Sequence, residues 1–180
     1  MRIVKETIVL SIIMMVIQSC SMNVDTEIKV LRFLSREITI PDKCPYIDQG
    51  ALHVASGLSS HGTARLFVIY TSQDCNECAV SHLDDTSPLF SFANNDMRFD
   101  TVIFMSPRED EFKDIVEKLV LKNYKYPVYL DKEGIIEAQL PSNQLFHIFL
   151  LDKYNKVRFI GNPMSNLKSK SNFTRKLKRL

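Results

Sequence analysis

The sequence predicts an α/β domain built on a central mixed sheet. Three observations carry that expectation. Leu66-Phe67-Val68-Ile69-Tyr70 and Thr101-Val102-Ile103-Phe104-Met105 are continuous apolar runs rich in β-branched and aromatic residues, the signature of strands buried on both faces. Helix-like sequence separates and follows them, which implies right-handed crossovers and parallel pairing. Near the C-terminus the order changes. Ile148–Leu151 and Val157–Ile160 are joined by the five residues Asp152-Lys153-Tyr154-Asn155-Lys156, a connection of hairpin length, so these two strands run antiparallel.

The elements are taken in chain order. Arg2 and Lys5, the apolar run Ile8–Ile17 and Gln18-Ser19-Cys20 read as a secretion signal. The apolar run is about half of the roughly 20 residues that cross a bilayer core, too short for a permanent membrane span. Asn23–Ser35 shows no convincing period, Glu37–Ile40 reads as a short strand, and Pro41–Gly62 carries the Pro, Gly, Ser and His of loop chemistry. The expected division is therefore a leader over residues 1–19, an anchor, linker and N-terminal extension over 20–62, and one organised domain over 63–180.

Within that domain a helix is expected from Cys75 to about Phe92. A second follows Ser106-Pro107, with Glu109-Asp110-Glu111 in an acidic first turn and Phe112, Ile115, Val116 and Leu119 as its apolar face. Pro127–Leu130 reads as a short strand, residues 135–140 as a brief helical turn, and a closing helix follows Pro163. The formal charge of +2 hides an asymmetry, because no Asp or Glu follows Asp152 while Lys and Arg continue to Arg179. That basic end has two readings, contact with anionic lipid or a solvated helix end that complements the dipole.

Chemistry concentrates on the cysteines. There are four: Cys20, Cys44, Cys75 and Cys78. Cys75 and Cys78 stand two residues apart, just after a buried strand and at a helix start. There the unpaired N–H groups favour a thiolate at the first cysteine while the second closes or resolves a disulfide. A static disulfide stapling the helix start is the structural alternative. A zinc site would need a further Cys or His pair at finger-like spacing, and the sequence offers none. Cys44 reads either as a third redox thiol or as an unpaired, partly buried one. No Gly-rich nucleotide loop is present, and the expected chemistry requires no cofactor.

Two resemblances add to this reading. Ile17-Gln18-Ser19-Cys20 resembles the lipobox of bacterial lipoproteins, which implies cleavage before Cys20, lipidation of that residue and attachment to a membrane through the lipid. Ser21, not Asp, follows it, which leans toward the outer membrane. From about Ala64 to Leu180 the strand, Cys75-Asn76-Glu77-Cys78, helix, strand, helix and hairpin resemble the thioredoxin-like fold. Phe149–Val157 is similar to the strand-turn-strand of the membrane-tethered redoxins. The resemblance implies that Cys75 attacks a partner disulfide and Cys78 resolves the mixed disulfide, with envelope protein thiols and disulfides as partners and no nucleic acid. It also implies that His147, which with Phe146 stands where thioredoxins place a cis-proline, could tune a thiol or shuttle a proton; the alternative is a partly buried hairpin residue. His82, one turn beyond Cys78, reads as a surface residue. Asp74 and Glu77 flank the thiols and oppose thiolate formation.

The function expected is thus a membrane-anchored thiol-disulfide oxidoreductase of the cell envelope. The alternatives are a non-catalytic thioredoxin-fold scaffold and, more remotely, a peroxide-reducing redoxin, for which the Thr-x-x-Cys pattern is missing.

Overall fold

The computed structural model describes residues 25–58, 63–96 and 98–180. The leader, the lipobox and Cys20 lie outside them. The chain divides into two units, Met1–Leu34 and Ser35–Leu180. In the first, residues 25–33 form helix α1 where the sequence showed no clear period. The Asp25–Lys29 ion pair at 2.9 Å, an i to i+4 pair with the acid N-terminal, favours it.

The second unit holds a seven-stranded sheet in the order β2-β1-β5-β4-β3-β6-β7. The strands are β1 (Lys43–Asp48), β2 (Ala51–Ser56), β3 (Ala64–Tyr70), β4 (Phe99–Met105), β5 (Val128–Leu130), β6 (Ile148–Asp152) and β7 (Val157–Ile160). β3, β4 and β5 run parallel, and β6 and β7 continue the sheet antiparallel beside β3. The mixed sheet, with helices α2 (Asn76–Ser81), α3 (Ser87–Asp96), α4 (Phe112–Lys122) and α5 (Leu167–Leu177), is a thioredoxin-like arrangement.

Three local expectations are corrected. Pro41–Gly62 is not simply loop, because β1 and β2 form a hairpin that extends the sheet beyond β5. Its two-residue turn has positive φ at both Gln49 (47°) and Gly50 (71°), the geometry whose twist suits a hairpin. A Cβ at Gly50 would come within 3.2 Å of the Val120 carbonyl oxygen and the Asn123 side chain. Pro45 suits its place. Counting outward from the turn, its missing N–H faces β5, which β1 pairs only through Tyr46 and Ile47. Second, Glu37–Ile40 makes a single bridge, Glu37 to Lys156, and not a strand. Third, the helix expected from Cys75 to Phe92 is broken, with a 3₁₀ turn over Leu83–Thr86 between α2 and α3. Pro88 supplies the reason. It lacks the N–H that a continuous helix would direct at Asp84, yet it is tolerated in the first turn of α3.

Alternation along the strands sorts the core into two faces. Leu66, Val68, Ile103, Met105 and Leu150 belong to the same cluster as Leu83, Leu89, Ile115, Leu119 and Phe173 of the helical layer. On the other face Phe67 stacks between Phe104 and Phe149, with ring centroids 5.4 and 5.5 Å apart. All three rings are fully buried. Helix α4 ends at Asn123, whose left-handed φ of 47° closes the cap. Replacing Phe67 by Ala should therefore lower stability by about 3–5 kcal/mol, read as a reduced urea midpoint, and Phe67→Leu by clearly less.

Candidate functional site

The three parallel strands end together, and their last residues build the site. The Ser106 N–H donates to the Tyr70 carbonyl at 2.8 Å and the Asp131 N–H to the Met105 carbonyl at 2.9 Å, so the ladders run one residue past each strand. Asp131, 2% exposed, organises the loop behind β5. Its carboxylate accepts from the N–H groups of Ile135, Ile136 and Glu137 at 2.9–3.1 Å and from the Ser106 hydroxyl at 3.2 Å. Glu137, so positioned, accepts from the Ser72 N–H at 3.0 Å and the Ser72 hydroxyl at 2.6 Å. A buried carboxylate thus fixes the loop beside the cysteine-bearing turn.

That turn runs Thr71-Ser72-Gln73-Asp74. The Asp74 carboxylate accepts from the Thr71 N–H at 2.7 Å and its hydroxyl at 2.9 Å, while the Asp74 N–H returns to the Thr71 carbonyl at 3.0 Å. The turn delivers Cys75 to the N-cap of α2, where the Cys78 N–H points at its sulfur at 3.3 Å. Cys75 and Cys78 are joined in a disulfide with Cα atoms 5.2 Å apart. Both residues are exposed. α2 has only six residues, so fewer peptide dipoles are aligned on Cys75 than the longer expected helix would supply.

The acidic neighbours are engaged. Glu77 pairs with Lys118 of α4. The Asp74 carboxylate, besides its Thr71 donors, lies 3.5 Å from His147 Nδ1, both side chains being largely buried. His147 closes a 3₁₀ turn over Gln144–His147, just before β6, and no cis peptide occurs among the described residues. The structure therefore brings His147 to the residue that precedes Cys75. Thr71, Gln73, Asp74, Glu137, Gln144 and His147 line a polar groove of about 390 Å³. Sequence reasoning had missed Thr71, Glu137 and Gln144. For Thr71, the signal was the hydroxyl residue three positions before Asp74, a turn pattern. Glu137 and Gln144 are separated from it by more than sixty residues and left no local trace.

His82 stays at the surface, its Nδ1 3.3 Å from the Asp85 carboxylate. Tyr70, at the end of β3, has its hydroxyl pushed up to about 12, by burial first and then by Tyr124, Asp85 and Asp74. Cys44 is a free buried thiol. It lines a cavity of about 110 Å³ with Leu130, Asp131 and Glu133. Burial, then the charges of Asp131 and Glu133, push it up to about 11. β1 stands three strands from β3, roughly 14 Å at ordinary strand spacing, whereas disulfide Cα atoms lie within about 7 Å. In this structure Cys44 is not bonded to the Cys75–Cys78 pair.

No family model matches the chain, and no curated protein matches it. Solved structures do. The pneumococcal exposed lipoprotein thioredoxin Etrx1 from Streptococcus pneumoniae is 18% identical, with 77% of this chain and 99% of that one covered and a TM-score of 0.47. A putative thiol:disulfide interchange protein DsbE from Chlorobium tepidum is 12% identical over 80% of this chain and 99% of that one, with a TM-score of 0.46. Enterococcus faecalis AhpC is 13% identical over 82% and 91%, again with a TM-score of 0.46. Any functional reading therefore rests on this chain's own residues.

The raised Cys44 value has a pH consequence. The folded state favours the neutral thiol, so this group's contribution is complete below about pH 9 and is lost as pH rises to about 11. The urea midpoint should fall over that window in the natural chain, and less steeply in Cys44→Ala.

Proposed function

We propose that the protein is a thiol-disulfide oxidoreductase of the cell envelope, anchored to a membrane by lipid on Cys20, in which Cys75 attacks and Cys78 resolves. The observation that carries this reading is the exposed Cys75–Cys78 disulfide at the start of α2, at the carboxyl ends of parallel strands. Exposed disulfides are the labile ones, whereas structural staples resist reduction. The exchange balances without any further group. The Cys75 thiolate attacks a partner disulfide, one partner sulfur leaves as thiolate, and Cys78 then displaces the partner from Cys75 to restore the observed bond. Electrons enter when another thiol protein reduces that bond.

In this reading His147 and Asp74 act as positioning residues. His147 approaches the carboxylate of the residue that precedes Cys75, and Thr71 holds that carboxylate in place. Lys118 offsets the Glu77 charge that would otherwise disfavour a thiolate. The polar groove beside the disulfide suits the backbone and polar side chains of a protein substrate. A redox-inert scaffold is the second reading, favoured by the 3₁₀ turn that precedes β6 where a thioredoxin presents its substrate-binding proline.

Two measurements separate the readings. Insulin reduction should be lost in Cys75→Ser; activity equal to the natural chain would end the nucleophile assignment. The reduction potential of the pair, from thiol trapping in glutathione or dithiothreitol buffers, should fall between about −120 and −270 mV, and a value below roughly −300 mV would favour the scaffold.

A further inference from the structure

After Asp152 the sequence carries nine Lys or Arg residues and no Asp or Glu. The fold gathers several of them on one stripe. α5 buries Phe173 and Leu177, and Phe173 meets Phe159 of β7 at a ring-centroid distance of 5.3 Å. The outward stripe of α5, spaced at three and four residues, presents Leu167, Lys170, Ser171, Thr174, Arg175 and Lys178 along a shallow groove of about 450 Å³. Leu167 is 87% exposed, and Met164 and Leu180 flank the helix, each 39% exposed.

These cations are not spent on carboxylates. Among the described residues none of Lys170, Arg175 and Lys178 forms an ion pair. Lys170 lies over the Phe92 ring at 5.1 Å, and Arg175 donates to the Asn172 side chain at 3.0 Å. Lys178 is near enough to help hold the Asp96 carboxyl down, but that carboxylate already accepts from Arg98 at 2.5 and 2.7 Å.

We propose that the outer stripe of α5 docks on an anionic lipid bilayer. Cations beside an exposed leucine on one helix face match an interfacial helix, whose apolar groups enter the headgroup boundary while its charges meet lipid phosphates. The path of the chain agrees. The polypeptide enters this unit at Ser35, whose N–H donates to the Val157 carbonyl at 2.8 Å, and so joins the sheet at β7, the strand on which α5 packs. Within this unit the chain therefore begins beside the strand that carries the cationic helix. Docking there keeps the disulfide clear of the lipid at its far end. The C-terminal turn of α5 lies by Asp96, ahead of the amino end of β4, while Cys75 follows the carboxyl end of β3. The choice of a membrane as partner rests on the anchored reading above; the charge and apolar stripe do not.

The chain contains no Trp, so Leu167→Trp in the full chain is a single reporter on this stripe. The variant is mixed with vesicles of phosphatidylcholine alone and of phosphatidylcholine with phosphatidylglycerol, and its emission and its quenching by brominated lipid are followed at low and high salt. The expected result is a blue shift with quenching only on the phosphatidylglycerol vesicles, reversed by salt. With Lys170→Gln, Arg175→Gln and Lys178→Gln added, the lipid concentration for half-maximal shift should rise at least about tenfold. Equal spectra on both vesicles, or no effect of the three substitutions, would overturn the proposal. Flotation of the chain with phosphatidylcholine vesicles reports the N-terminal anchor separately. Loss of that flotation with a salt-sensitive shift retained would end the anchored reading and support the helix contact.

Discussion

Parallel pairing of β3, β4 and β5 is the constraint on which the rest of the molecule depends. Each strand must return by a crossover, and the right-handed rule puts both crossovers on the same face of the sheet. The same constraint aligns the carboxyl ends of the three strands, so the turn after Tyr70, Ser106 after Met105 and Asp131 after Leu130 meet at one edge. Reactive groups in open α/β sheets gather where strands end in this way, because the loops there are held by a rigid scaffold while their side chains stay accessible. The cysteine pair occupies such a place. Its chemistry depends on a backbone arrangement settled by residues far from it, such as Ile103 and Val128.

Much of this was readable from order and composition. The buried runs at Leu66–Tyr70 and Thr101–Met105, the closing hairpin and the basic terminal helix all stand where the sequence placed them, since each is specified by a strong local pattern. The hairpin of β1 and β2 was hidden by its own composition. Pro45 and Gly50 read as breakers, and only the register against β5 shows that one falls beyond the paired residues and the other serves the turn. The break before α3 was hidden differently, since apolar spacing persists across it and Pro88 alone marks it. The close spacing of Cys75 and Cys78 was legible, whereas the approach of His147 to the cysteine-bearing turn, at Asp74, was suggested only by the resemblance and by no local pattern. Asp131 was not legible, because a carboxylate buried by four donors looks in sequence like any loop acid.

Charge is distributed in opposition across the fold. Carboxylates crowd the cysteine end, among them Asp74, Glu77, Asp131 and Glu137, and each is engaged by a donor or a cation. Most of these acceptors satisfy backbone N–H groups or hydroxyls in turns that no helix or strand ladder serves, so their negative charge is structural before it is chemical. The cations of the last element are different, since they face outward and, among the described residues, form no ion pair. Their solvation is retained, and their field reaches over roughly a Debye length.

The split of the cysteine-bearing helix separates two lengths of chain that a single helix would have coupled. α2 has six residues, too few to hold helical form by its own hydrogen bonds, and it depends on its packing and on the Cys75–Cys78 bridge at its first turn. α3, ten residues long, seals the core through Leu89, Phe90 and Ala93. Both segments reach the interior, since α2 adds Ala79 and Val80 to the same core. Pro88, in the first turn of α3, cannot carry one helical ladder across the break, so each segment is held in place by its own packing.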